Sequence, residues 1–230
     1  RTVTGVQTCA LPIFPSHFLG LVQKNGNWET SDGVIRVVDE AGKIVAEESN
    51  PLHYQKIIGE AVEPDSFLKS PYYLPVGYPN GIYRVGPLAR LNICDRIGTP
   101  LADTQLIEFR QRAGRIAHSS FHFHYARLIE ILACLENLEL LLHDSDLISG
   151  ICRANASLNC LEGVGVSEAP RGTLFHHYQV DDQGRLKKIN FIIATGQNNL
   201  AMNRTVTQIA KHYIKGEIIP EPMQIGRAHV

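Results

Sequence analysis

Apolar and polar positions alternate along GVIRVVDEAGKIVAEE, residues 33–48, and again along TLFHHYQV and RLKKINFIIAT within residues 173–195. Each pair of runs is divided by a polar turn, DEAG or DDQG, so each predicts a β-hairpin. A different period takes over between them. Phe121, Tyr125, Leu128, Leu132, Leu135, Leu138 and Leu142 recur at spacings of three and four, which predicts a helix from about Ser119 to His143. Such a helix would be roughly 35–40 Å long at 1.5 Å per residue, and its apolar stripe places it in the core of a bundle. Thr99 and Pro100 fit the N-cap and first position of a preceding helix, LADTQLIEFRQRAG. AMNRTVTQIAKHYI reads as a last helix, ended by IPEP. Residues 50–92 are rich in Pro, Gly and Tyr and read as a long irregular segment laid over the rest. The expected fold class is α+β, mainly helical, with long central helices and two β-hairpins at their margins.

The two ends change what should be counted. VTGVQTCALPI, residues 3–13, back-translates to a common sequencing adapter, and the closing IGRAHV to the opposite strand of the same oligonucleotide. Residues 1–13 and 225–230 are therefore expected to be adapter read-through and are excluded from fold reasoning. Residues 14–224 are expected to be an internal fragment of a longer domain.

Composition narrows the function classes. The 230 residues are 44% hydrophobic and 20% charged, with 22 basic against 23 acidic side chains, which is ordinary for a globular chain. No charge excess points to nucleic acid or an anionic membrane surface. Glu130, Glu136 and Glu139 interrupt the longest apolar stretch, so no membrane span is expected. Outside the adapter, Cys94, Cys134, Cys152 and Cys160 are too sparse for a disulfide scaffold and lack CxxC spacing. They read as small buried residues of a cytoplasmic protein rather than as metal ligands.

Candidate chemistry gathers late in the chain. His118 and His122 stand four apart, a spacing that can ligate a metal on one helical face, yet no acid or cysteine nearby completes the set and aromatic neighbours favour packing. Gly163 and Gly165 give half of GxGxxG, but Glu168 takes the third glycine's place, which argues against a dinucleotide loop. EAPRG, residues 168–172, enters the first strand of the second hairpin, and IIATGQNN leaves its second strand. The two motifs should therefore lie side by side at one end of that hairpin.

GEAVEP, SPYYLPVGYPNGIYRVGPLARLN, GVGVSEAPRGTLFHHY and IIATGQNNLAMN resemble the large catalytic subunit of nickel-iron hydrogenases, most closely the bidirectional, NAD-reducing type. The resemblance covers nearly all of residues 14–224. It implies reversible heterolytic cleavage of H2, a nickel-iron centre carrying CN and CO ligands in the full-length protein, and, for a partner, an iron-sulfur small subunit. Through that partner, electrons would pass to flavin and NAD on diaphorase subunits; NADP or a deazaflavin remain open as acceptors.

Carried onto matching positions, the resemblance makes Pro170 and Arg171 a canopy beside the metals, with Arg171 stabilising developing charge. Leu174 would help enclose the diatomic ligands, and Thr195 would donate a hydroxyl. Glu168 and His176 would stand behind these, or alternatively form an ion pair with Arg171 and a strand hydrogen bond. The family's two cysteine pairs are missing here, so none of the cysteines is expected to ligate metal and the chain alone is expected to be inactive. Two other readings stay open: the quinone-coupling subunit of respiratory complex I, and a purely structural domain in which EAPRG and IIATG lie apart.

Overall fold

The computed structural model describes residues 14–64, 66–148, 150 and 159–214. Both adapter-like ends, Cys152 and the IPEP stop lie outside these residues. Among the described residues, nine strands form three sheets, so the fold is mixed α/β and the mainly helical expectation is corrected.

The central strand is β1 (His17–Val22), HFLGLV. It pairs antiparallel with β2 (Val34–Val38) and parallel with β6 (Tyr83–Arg84), and β3 (Ile44–Glu48) completes the order β3-β2-β1-β6. Alternation along β1 sends Phe18 and Val22 to one face, and Leu19 and Leu21 to the other. The first pair joins a core with Leu88, Leu91, Leu106, Phe109 and Ile129. The second joins a core with Tyr54, Tyr83, Val85, Phe175 and Ile192. A strand apolar throughout is what burial on both faces demands.

Helices cover the first face. They are α1 (Pro87–Ile93), buried along its whole length, α2 (Pro100–Ala113) and α3 (His122–Leu142). The third sheet, a meander of β7 (Glu162–Ala169), β8 (Gly172–Val180) and β9 (Leu186–Ile192), covers the second face. A small pair, β4 (Ile58–Ala61) and β5 (Ser70–Tyr73), lies in the segment expected to be irregular. The chain then runs through α4 (Ala194–Gln197) into α5 (Asn199–Tyr213).

Both expected hairpins are present, as β2–β3 and β8–β9. Two of the strands that the pattern does not predict, β5 and β7, share a cause. β5 contains Pro71 and β7 contains Gly163 and Gly165, residues that ordinarily mark turns and weaken strands.

The long helix forms where its period predicts, but not in a bundle core. Its buried side chains are Ala126, Ile129, Glu130 and Ala133, whereas Leu128, Leu135, Leu138 and Leu142 are more than half exposed. Periodicity reveals an apolar stripe and cannot say what covers it. Small residues at 126 and 133 let α3 approach α1 and α2 closely, and the large residues face outward. At the start of α2, Leu101 N and Ala102 N donate to the Glu136 carboxylate of α3. That carboxylate satisfies two of the four backbone donors a helix start leaves free.

Candidate functional site

EAPRG is a turn between two strands rather than the entry to one. Ala169 pairs with Gly172, leaving Pro170 and Arg171 as a two-residue hairpin connection between β7 and β8. Proline fixes its own φ, and Gly172 adopts φ 139°, a region side-chain-bearing residues avoid. Gly172 also lies against Val85 so closely that a Cβ there would collide with its side chain. Gly86, at φ 103°, faces the Arg171 carbonyl, 2.9 Å from where its own Cβ would sit. Two glycines thus let the tip of this hairpin dock onto the β6–α1 junction.

Glu168 holds the turn from inside. Its side chain is 1% exposed and takes donors from three elements. Leu21 N of β1 donates at 2.9 Å, the Thr173 hydroxyl of β8 at 2.8 Å, and Arg90 Nη1 of α1 at 2.6 Å. Arg90 Nη1 also donates to the Ala169 carbonyl at 3.0 Å. The other edge of the Arg90 guanidinium is taken by Glu130 of α3, at 2.5 Å from Nε and 2.7 Å from Nη2. Trp28 Nε1 adds a donor to Glu130 at 3.3 Å.

Burial would lower the Arg90 pKa, but hydrogen bonds and charge from Glu130, then Glu168, hold it above its ordinary value. Glu168 moves the other way from most paired acids. Desolvation outweighs the attraction of Arg90 and the hydrogen bonds, so its pKa is raised. The sequence suggests an ion pair of Glu168 with Arg171; the structure gives Glu168 to Arg90 instead, together with Glu130. Arg90 and Glu130 are the residues sequence reasoning misses. Their signal is a charge inside an apolar run, PLARLN and LIEIL, since a buried charge requires a partner.

The exit of β9 does lie beside this turn. Gln197 of α4, fully buried, donates through Nε2 to the Thr173 carbonyl and accepts from the Tyr83 hydroxyl at 3.0 Å. Asn198 Oδ1 accepts from Val85 N at 2.9 Å. These bonds fasten α4 to the same β6–β8 corner, so EAPRG and IIATG share one end of the sheet. A structural domain with the two motifs apart is ruled out by that geometry.

Pro170, Arg171 and Thr195 are exposed at this corner, and Leu174 is half-buried. Among the described residues, the Arg171 guanidinium has no hydrogen bond or ion pair. His176 is half-buried on the same open face, its ring 4.5 Å from that of Phe191 and its Nδ1 3.1 Å from the Tyr178 hydroxyl. Gly165 and Phe191 flank it in register. The open face of the third sheet is therefore apolar along β8 and β9, with a free guanidinium and a hydroxyl at one end. Such an arrangement can orient a group that accepts hydrogen bonds while an apolar wall excludes water.

Metal ligands do not converge here. Among the described residues, no three His, Cys, Asp or Glu side chains come together as a metal site. Cys94 is buried, its thiol pushed up to about 12 by desolvation, and Cys134 and Cys160 are exposed. His118 Nε2 lies 3.0 Å from the Glu40 carbonyl, and His122 packs edge-on to Phe109. These residues fit neither a nickel-iron centre nor an iron-sulfur cluster.

No family model matches the chain. It is 40% identical over 209 residues to the vhu A-subunit of the F420-non-reducing hydrogenase of Methanocaldococcus jannaschii, covering 91% of this chain and 50% of that protein. It is similar to subunits of hydrogenases. The NAD-reducing hydrogenase HoxS subunit beta of Cupriavidus necator is 40% identical over 205 residues, 88% of this chain and 42% of the relative. The iron-sulfur A-subunit of the F420-non-reducing hydrogenase of Archaeoglobus profundus is 35% identical over 207 residues, 86% and 42% of the two chains. Among solved structures, the NAD+-reducing [NiFe]-hydrogenase in the H2-reduced state superposes with a TM-score of 0.87 at 40% identity, covering 95% of this chain and 49% of that one. The chain spans about half the length of the relatives it matches.

These relatives correct the sequence-based assignment. By name they are A-type or beta components of hydrogenases, one of them an iron-sulfur subunit, and none is named a large catalytic subunit. The large-subunit reading, H2 cleavage by this chain and its nickel-iron cofactor are overturned accordingly. The likeness to hydrogenase subunits stands. Among the described residues, no helix is long and apolar enough to cross a membrane.

Proposed function

We propose that this chain is a component of a cytoplasmic hydrogenase complex, and that the Pro170–Arg171 turn with Thr195 presents hydrogen-bond donors to a redox-active group held elsewhere in that complex. Leu174 and the open face of β8 and β9 supply the apolar wall beside it. The observation that carries the reading is a contrast within one residue: the Arg171 backbone is docked on the core through Gly86 and Gly172, while its guanidinium is exposed and, among the described residues, has no hydrogen bond or ion pair. A backbone already held in place lowers the reorganisation needed to aim a donor at a developing charge.

NAD as the final acceptor is supported by the 40% identity to the NAD-reducing relative. The equal identity to an F420-non-reducing relative supports a non-NAD acceptor as strongly, so acceptor choice belongs to partner subunits. The test is Arg171→Ala in the assembled complex, with H2-dependent reduction of a viologen dye as readout. The rate is expected to fall by about tenfold to a thousandfold with assembly intact, the range for loss of one preorganised donor. An unchanged rate in the intact complex refutes the reading.

A further inference from the structure

Arg171 is useful only if its turn is held still, and the residues that hold it lie far from it in sequence. Hairpin tips exposed to solvent ordinarily sample several conformations. Here Glu168, two residues before Pro170, accepts donors from β1, α1 and β8 at once. Arg90 binds both the Glu168 carboxylate and the Ala169 carbonyl next to Pro170. Gly20 is needed as well, because a Cβ there would sit 3.1 Å from Glu168 Oε1 and against the Ile93 side chain. The chain Glu130–Arg90–Glu168 is nearly closed to water, with side chains 10%, 3% and 1% exposed. It therefore ties the Arg171 turn to helix α3.

We infer that Glu168 and Arg90 are positioning residues that fix the backbone of the turn from which the Arg171 guanidinium is presented, with Glu130 anchoring the assembly on α3. The inference rests on the proposed role of Arg171. None of the three touches the group that Arg171 is proposed to meet; each acts through the turn. The acceptor count explains why a carboxylate is needed at 168. Two oxygens serve three donors that approach from different sides. A glutamine has one acceptor oxygen, and its amide nitrogen faces donors it cannot pair with.

The test is a double-mutant cycle on the assembled complex, again with H2-dependent viologen reduction. Glu168→Gln is expected to lower the rate about tenfold to a hundredfold, as a displaced catalytic group does. In an Arg171→Ala background the same change should add no further loss, because the group it positions is already gone. A purely structural role predicts losses that multiply, and that outcome overturns the inference. If Arg171→Ala alone leaves the rate unchanged, the proposed function fails first and the two failures are told apart. Should Glu168→Gln not assemble, Thr173→Val removes only one of the three donors. Its expected loss of about threefold should likewise vanish in the Arg171→Ala background, and a multiplied loss would overturn the inference by that route.

Discussion

The Tyr83 hydroxyl donates to Gln197 Oε1 at 3.0 Å inside a core where both side chains are at most 1% exposed. Tyr83 stands on the central sheet and Gln197 opens the way to α5, so this bond joins two parts of the chain 114 residues apart. Gln197 is sealed from bulk solvent. Burial, then the Glu60 charge, keep the phenol well above its ordinary pKa, so it remains a donor across the working pH range.

Tyr83→Phe should therefore destabilise by about 1–3 kcal/mol, the cost of an orphaned buried acceptor. Urea unfolding measures it directly. A cost near zero would mean that Gln197 finds another donor and that the corner carrying Thr195 is less fixed than the bond implies.

Glu168 gives a pH dependence of unusual sign. Its folded-state pKa is raised above the ordinary 4.5, chiefly by burial, so the folded chain binds its proton more tightly than the unfolded chain does. Stability from this group is fully present below 4.5 and declines as pH rises through the folded value. Glu168→Gln removes the titration. The stability difference between variant and parent should shift in the variant's favour as pH rises across that window, measured by urea unfolding at a series of pH values. A difference that moves the other way would show that Arg90, Leu21 N and the Thr173 hydroxyl together outweigh desolvation.

The two faces of α3 should respond oppositely to substitution. Ile129 is 2% exposed and Leu128 is 64% exposed. Ile129→Ala is expected to cost about 2–5 kcal/mol, and Leu128→Gln to stay within about 0.5 kcal/mol. Comparable losses at both positions would return α3 to the bundle core that its stripe suggests.

That stripe shows where sequence stops being informative. The turns DEAG and DDQG flanked by alternating residues are enough to locate β2–β3 and β8–β9, because hairpins are local. The neighbourhood of EAPRG and IIATG follows from the second hairpin for the same reason. β7 is hidden by its own glycines, which on this sheet leave open space rather than mark a turn. The partner of Glu168 cannot be read at all. Arg90 lies 78 residues away, and only the packing of α1 beneath β1 brings the two together. A charged residue inside PLARLN says that some partner exists without saying which.

Gly172 offers the sharpest check on the docked turn. Its φ of 139° and its contact with Val85 leave no room for a methyl group. Gly172→Ala must either strain the backbone, at about 1–2 kcal/mol, or push β8 away from Val85, at about 1–3 kcal/mol. The combined loss is expected to be on the order of 2–4 kcal/mol, seen as a lower urea midpoint with an unchanged slope. Gly163→Ala, where a Cβ would meet nothing within 4 Å, serves as the control and should be close to neutral. If both variants unfold at the parent's midpoint, the turn is not seated on the β6–α1 junction, and Arg171 loses the rigid support from which its proposed role follows.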